Sequence, residues 1–154
     1  MAALVASVAQ RVDPDCHTNN CKKGTCSVLL NGVPAQPLIV DLDCDALRLP
    51  SNRKRCDFLF VGETDSTAWV APIELKGGGF KVDDVAKQLQ EGSRIANEWL
   101  PQESSFRLVP VLAHGKGARK KDFVDLRRKK ITLRGKNGKI ELLRCGAELM
   151  SVLK

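Results

Sequence analysis

The chain has 154 residues, of which 43% are hydrophobic and 28% are charged, which is the size and composition of one globular domain. Its longest apolar runs are a few residues, far short of the roughly 20 that a membrane-spanning helix needs. We therefore expect no membrane helix and no membrane partner. The net charge of +7 is uneven, because residues 114–154 contain 13 Lys or Arg and 4 Asp or Glu. Such a basic segment either binds a polyanion or forms a solvated surface.

Residues 1–12 have the pattern of an amphipathic helix, in which Leu4, Val5, Val8 and Val12 share one face. The segment lacks the basic leader and the long apolar run of a signal peptide. We expect it to be the first helix of a cytoplasmic protein.

Three cysteines, Cys16, Cys21 and Cys26, follow at five-residue intervals in a segment that we predict to be a loop, residues 13–26. Three thiolates this close could bind Zn²⁺, with His17 or a distant cysteine as the fourth ligand. The alternative is a set of free thiols in a reducing cytosol.

The middle of the chain alternates between strand and loop patterns. Strands are predicted at 27–30 and 37–42, on either side of the turn dipeptide Asn31-Gly32, and a polar loop follows at 43–55. The runs 56–61 and 68–75 are rich in β-formers and almost continuously apolar, as in central strands that are covered on both faces.

After three glycines, Asp83 can cap an amphipathic helix that ends near Leu100. A strand at 107–113 and a basic, glycine-containing loop at 115–121 come next. The chain then ends in a predicted hairpin that pairs 130–134 with 139–144 around Gly135-Lys136-Asn137-Gly138. This order predicts one α/β domain over residues 1–154, with a mixed central β-sheet flanked by α-helices.

Each of the two central strands carries a carboxylate, Asp57 in the first and Glu74 in the second. A charge in an apolar strand is costly unless it is paired or binds a metal. Lys76 lies two residues after Glu74, so strand alternation puts both on one face. If the two strands are neighbours, the three side chains converge. Two hard oxygen ligands and a lysine suit phosphodiester hydrolysis, although an isolated Glu-x-Lys triplet is more often a simple ion pair at a strand end.

The context of these residues resembles the PD-(D/E)XK, or restriction-endonuclease-like, nuclease superfamily. The resemblance covers roughly Arg55 to Ala113: an acid in an apolar strand, Glu74-Leu75-Lys76 ending the next strand, glycines, and an amphipathic helix. Its most specific strings are Arg53-Lys54-Arg55-Cys56-Asp57 and Ile73-Glu74-Leu75-Lys76-Gly77. Cys56 stands where many members have proline.

The resemblance implies a restriction-endonuclease-like core and a Mg²⁺- or Mn²⁺-dependent nuclease, with DNA favoured over RNA as substrate. In it, Asp57 and Glu74 are metal ligands and Lys76 assists hydrolysis. The backbone carbonyl of Leu75 is a further candidate ligand. Gln88, on the following helix, matches a polar residue that often faces the site, although a solvated glutamine is an equal alternative. Some members hold an iron–sulfur cluster on four cysteines, which adds such a cluster to the hypotheses for the cysteine segment.

Two basic groups are candidate contacts for a nucleic-acid backbone, with a solvated surface as the alternative. They are Arg53, Lys54 and Arg55, directly before Asp57, and Lys116, Arg119, Lys120 and Lys121 in the basic loop. The nuclease hypothesis expects this loop and the three core residues to border the same groove. The alternative is a catalytically inactive nuclease-fold module that binds nucleic acid or a protein partner. The sequence leaves open a homodimer or another protein partner.

Overall fold

The computed structural model describes residues 3–154 and is a mixed α/β structure with one central sheet. The helices are α1 (Ala3–Ala9), α2 (Val82–Trp99) and α3 (Lys120–Arg128). The strands are β1 (His17–Thr18), β2 (Cys21–Lys23), β3 (Cys26–Val28), β4 (Leu38–Asp41), β5 (Phe58–Glu63), β6 (Ala68–Lys76), β7 (Arg107–Leu108), β8 (Val111–His114), β9 (Lys130–Leu133), β10 (Lys136–Lys139) and β11 (Glu141–Arg144). Within residues 3–154, no helix combines the length and the apolar character that crossing a membrane requires.

The central sheet changes from antiparallel to parallel at β6. Its order is β1-β4-β5-β6-β8-β11, in which β1, β4, β5 and β6 pair antiparallel, whereas β6, β8 and β11 pair in parallel. The short strand β7 also pairs with β6, just before β8. Val109 and Pro110 separate β7 from β8. Because proline has no N–H to give to the ladder, the single strand predicted at 107–113 is divided in two.

Apolar side chains cover both faces of the sheet, which confirms the prediction of fully buried central strands. Helices α1, α2 and α3 and the β9–β10 hairpin contribute to the core on one side, which we call the helical face. The β2–β3 hairpin and the C-terminal residues around Leu149 cover the other side, the hairpin face. Along β6, Val70 faces the helices and Ile73 faces the hairpin, as strand alternation requires.

The predicted terminal hairpin is wrong in its second strand. Strand β9 pairs with β10 through the two-residue turn Arg134-Gly135, where both residues have positive φ, 51° and 77°. This is the turn conformation that fits the twist of a tight hairpin. Strand β11 leaves the hairpin and pairs in parallel with β8, which buries Leu143 in the core of the hairpin face.

Three further segments differ from the sequence predictions. Lys120 and Lys121, expected in a loop, begin α3; its helical pattern is weak because Leu126 is its one buried residue. Residues 13–26 contain three short strands instead of a loop. Helix α2 starts at Val82, and Asp83 lies in its first turn rather than at the cap. The first helix is described from Ala3 onward, and residues 1 and 2 of its predicted range lie outside the described part of the chain.

Gly92 lets α2 lie close to the two central strands. A Cβ atom placed on Gly92 would overlap the Sγ atom of Cys56 and would lie 3.4 Å from the Cβ atoms of both Cys56 and Pro72. Cys56 directly precedes Asp57, and Pro72 lies two residues before Glu74. The missing side chain therefore sets the distance between the helix and the strands that carry the acids.

We predict that Gly92→Ala lowers the free energy of unfolding by up to about 2 kcal/mol. Alanine in a helix normally gains about 1 kcal/mol over glycine, but the overlap with Cys56 costs about 1–3 kcal/mol. In a Cys56→Ala background the overlapping sulfur is gone, so the same change should be neutral or stabilising. Urea denaturation of the four chains measures this difference. Equal destabilisation in both backgrounds would contradict the packing argument.

Candidate active site

Asp57, Glu74 and Lys76 lie at one edge of the central sheet. Because β5 and β6 are antiparallel, the start of β5 and the end of β6 meet there, and the Asp57 N–H donates to the Ile73 carbonyl at 3.0 Å. The strand pairing expected from the sequence is thus confirmed. Alternation along each strand places Asp57, Glu74 and Lys76 on the helical face.

Asp57 is buried, with its residue 4% exposed, and both of its carboxylate oxygens accept hydrogen bonds. Oδ2 accepts from the Leu75 N–H at 2.8 Å, and Oδ1 accepts from Nζ of Lys23 at 2.7 Å. The N–H and C=O of one strand residue point to the same side of the strand. The Leu75 carbonyl is therefore directed toward Asp57, as its role as a candidate ligand requires.

Glu74 is 1% exposed and is only half satisfied. Oε2 lies 3.0 Å from Nζ of Lys76, whereas Oε1 is a buried atom without a hydrogen-bond partner among the described residues when both acids are ionised. A side-chain hydrogen bond between Glu74 and Asp57 requires that one of the two carboxyls is protonated. Burial, and then the nearby Asp57 carboxylate, raise the pKa of Glu74 to about 7, against the opposing effect of Lys76. The ionised form of this site therefore offers one free oxygen to a cation.

Gln88 is placed opposite Glu74 by the geometry of the crossover. Helix α2 connects the parallel strands β6 and β8 and so runs opposite to β6. Gly92 lies against Pro72. The four residues from Gly92 back to Gln88 cover about 6 Å along the helix, which is close to the rise of two residues along a strand. Because the helix and the strand run in opposite directions, Gln88 then lies opposite Glu74, two residues after Pro72. Oε1 of Gln88 is also buried without a hydrogen-bond partner among the described residues.

Lys23 is the member of the site that the sequence analysis missed. It ends β2, and its ammonium lies 2.7 Å from Oδ1 of Asp57 and 3.9 Å from a carboxylate oxygen of Asp43. Its hydrogen bond to Asp57 raises its pKa, more than burial lowers it. Thr25, in the adjoining turn, lies against Gly77 at the end of β6. No local pattern marks Lys23, because 34 residues separate it from Asp57.

The basic residues before Asp57 bind other parts of the protein. Arg53 pairs with Glu98 at 3.1 Å and Lys54 with Asp84 at 3.6 Å, so both reach α2. Arg55 donates to the backbone carbonyls of Leu42, Pro50 and Arg53. These contacts give all three residues a role in holding the 43–55 connection, and their binding of nucleic acid stays a prediction.

The basic loop after His114 begins at the site. The Gly115 N–H donates to the Lys76 carbonyl at 2.9 Å, and a Cβ atom on Gly115 would meet the Gly77 carbonyl oxygen at 2.5 Å. Lys116 follows directly and is exposed. Arg119, Lys120 and Lys121 are also exposed but lie further along, at the start of α3. The structure thus brings Lys116, rather than the whole loop, beside Lys76.

Four of the six cysteines form disulfides, and two of these four belong to the trio predicted to bind a metal. Cys16 pairs with Cys44 and Cys26 with Cys145, while Cys21 is a free, buried thiol. Burial raises the pKa of Cys21 to about 12, which disfavours the thiolate that binds metals. The sequence could not show these pairs, because they join residues 28 and 119 positions apart.

The two disulfides also leave Cys21 as the one free thiol of the trio Cys16, Cys21 and Cys26. Disulfides are rare in a reducing cytosol, so these pairs weigh against the cytoplasmic location that the sequence suggested. Cys56, the second free cysteine, is fully buried beside α2. Across residues 3–154, no three or more His, Cys, Asp or Glu side chains are grouped as a metal site; the acidic site consists of the pair Asp57 and Glu74.

No family model matches the chain, and no curated protein or solved structure is similar enough to count as a match.

We predict that Glu74→Gln changes how stability depends on pH in metal-free buffer. Because folding raises the pKa of Glu74 from its usual 4.5 to about 7, the folded chain binds a proton more tightly than the unfolded one. The stability from this group is fully present below pH about 4.5 and is lost as pH rises through about 7. Relative to the variant, the wild type should lose about 2–3 kcal/mol over this interval.

Urea denaturation at half-unit steps from pH 4 to 8, with EDTA present, measures that loss. Glu103→Gln, an exposed change in the connection after α2, is the matched control and should follow the wild type at every pH. If the stability of the wild type and of Glu74→Gln changed with pH in the same way, the pKa of Glu74 would not be raised by folding.

Proposed function

We propose that this protein is a metal-dependent phosphodiesterase that hydrolyses nucleic-acid phosphodiester bonds. The observation that carries the proposal is the site itself: two buried carboxylates on adjacent antiparallel strands, with Lys76 on the same face and Oε1 of Glu74 unpartnered. A structural ion pair has no need of an unpartnered oxygen, whose burial costs about 1–3 kcal/mol. A cation that accepts oxygen ligands would satisfy it.

The fold supports a restriction-endonuclease-like core. Strands β5 and β6 carry the two acids, α2 crosses the sheet, and β8 returns parallel to β6. This is the order that the sequence resemblance implied. DNA is the favoured substrate and RNA the second, as the sequence resemblance implied.

The donor set fits Mg²⁺ or Mn²⁺. Asp57 and Glu74 supply hard carboxylate oxygens, the Leu75 carbonyl is directed to the same side, and Mg²⁺ keeps several waters besides a few protein ligands. When bound, the ion supplies Lewis-acid polarisation of the phosphate. The zinc and iron–sulfur hypotheses have no comparable support, since two of their three cysteines are disulfide-bonded.

Lys76 is the group of the site that faces the substrate. Its side chain is 27% exposed, whereas that of Glu74 is 1% exposed, so its ammonium lies between the buried carboxylate and solvent. There it can donate to a phosphate oxygen as negative charge develops. The contact with Glu74 fixes the ammonium before substrate binds, and Gln88 offers a second polar group opposite Glu74.

The contact between Lys23 and Asp57 favours a second candidate function. With Lys23 on Asp57 and Lys76 on Glu74, the two carboxylates are neutralised by the chain itself. A catalytically inactive nuclease-fold module that binds nucleic acid or a protein partner would keep such a network for stability alone. The two candidates differ in whether the site takes up a divalent cation and cuts.

The first test is cleavage of labelled single- and double-stranded DNA and RNA in the presence of Mg²⁺. Glu74→Gln and Lys76→Met should each lower the rate at least about 100-fold, since each removes a group that holds the metal or the developing charge. Glu103→Gln and Lys139→Met, both exposed, are the matched controls and should cut at the wild-type rate. Cutting that persists in EDTA, or in both site variants, would exclude the proposed chemistry.

The second test concerns Lys23. Its ammonium occupies Oδ1 of Asp57, so a divalent cation competes with it, and Lys23→Met should bind Mn²⁺ about tenfold more tightly. Tenfold corresponds to about 1.4 kcal/mol, near the lower end of a hydrogen bond to a charged group. Titration calorimetry measures the affinity directly. Lys22→Met, an exposed neighbour, should match the wild type; unchanged or weaker binding in Lys23→Met would refute the competition.

A further inference from the structure

A basic cavity lies beside the candidate site, at the carboxyl ends of β8 and β11. Its volume is about 420 Å³, and its walls include His114, Lys116, Phe123, Arg144 and Cys145. None of the described residues that line it is acidic. Four other cavities among residues 3–154, of about 270 to 650 Å³, each have at least one Asp or Glu in their walls.

The sheet register connects this cavity to Lys76. His114 is paired with Lys76 on one side and with Arg144 on the other. These are the last residues of three adjacent parallel strands, so their side chains leave the same face of the sheet. The result is a row, Lys76-His114-Arg144, that leads from the two carboxylates into the cavity.

Two cations in the walls of this cavity, Arg144 and Lys116, are available for an anion. Arg144 is exposed, and the hydrogen-bond and ion-pair contacts found among residues 3–154 include no partner carboxylate for it. Burial lowers the pKa of His114, and the charge of Arg144 lowers it further, which places the guanidinium near the imidazole. Lys116, also exposed, adds a second cation.

Neighbouring elements hold the cavity in shape. The Phe123 ring of α3 packs on the His114 ring with centroids 4.7 Å apart. The Cys145 N–H donates to the His114 carbonyl at 2.9 Å, and Cys145 is bonded to Cys26. The end of β11, and with it the backbone of Arg144, is thereby fixed against β8.

We propose that this cavity binds a phosphate of the nucleic-acid strand, upstream or downstream of the one cleaved beside Lys76, through Arg144 and Lys116. Arg144 is two strand positions from Lys76, about 10 Å across the sheet. Successive phosphates of a strand lie further apart in space than their rise of about 3.4 Å along a duplex axis, so the bound phosphate lies within about two nucleotides of the scissile one. This proposal rests on the proposed function and adds the path of the substrate backbone.

The experiment measures binding of the full chain to a labelled single-stranded oligonucleotide by fluorescence anisotropy, in EDTA so that nothing is cut. Arg144→Gln should weaken binding about tenfold and lower the slope of log K against log salt by about 0.7, the loss of one phosphate contact. Arg144→Lys keeps the charge and should keep the slope. Arg107→Gln removes an exposed arginine at the opposite end of the sheet, where β7 pairs with Trp69 and Val70, and should stay within twofold of the wild type.

Arg144→Gln with unchanged affinity and slope would overturn the proposal, and so would equal losses in Arg144→Gln and Arg107→Gln. Cleavage with Mg²⁺ on the same oligonucleotide is read separately. If the wild type binds through Arg144 but never cuts, the phosphate site stands and the nuclease proposal fails. If it cuts and Arg144→Gln binds and cuts like the wild type, the nuclease proposal stands and this one fails.

Discussion

Two carboxylates buried side by side, Asp57 and Glu74, are the constraint around which the rest of the site is arranged. Like charges taken out of water repel each other and lose hydration, so each needs a donor or a cation nearby. The chain supplies the Leu75 N–H and Lys23 to Asp57, and Lys76 to Glu74. One oxygen of Glu74 is left over. A bound metal ion, as proposed, and ion pairs alone are two ways of compensating the same buried negative charges.

The change of direction at β6 explains why acids and bases meet at one edge. An antiparallel neighbour brings the start of β5 there, and parallel neighbours bring the ends of β8 and β11. Glycines then allow the connecting loops to touch: a Cβ atom on Gly117 would lie 3.2 Å from the backbone nitrogen of Gly79. This topology therefore brings the first part of the basic segment, residues 114–154, next to Asp57 and Glu74.

The sequence was a good guide wherever a local pattern decided the outcome. Apolar runs predicted β5 and β6, a helical stripe predicted α2, and alternation put Glu74 and Lys76 on one face; even the pairing that brings in Asp57 is confirmed. Contacts between distant segments were beyond such patterns. The contact of Lys23 with Asp57 and the pairing of four of the six cysteines depend on how distant segments fold back onto the sheet. The second strand of the terminal hairpin was predicted wrongly for two reasons. Gly135 and Gly138 are both residues that favour a turn, and β8, the true partner of β11, lies 30 residues earlier in the chain.

The hairpin that carries Lys23 is fastened mainly by the other end of the chain. Besides the bond between Cys26 and Cys145, Ser27 and Leu29 exchange backbone hydrogen bonds with residues 146–149. Contacts over so long a separation form late, since the entropy of closing the loop must be overcome first. During folding, Asp57 and Glu74 can come together before the hairpin that carries Lys23 is in place. Until this hairpin docks, Asp57 lacks its ion pair with Lys23, and the chain exposes an uncompensated negative charge at this edge.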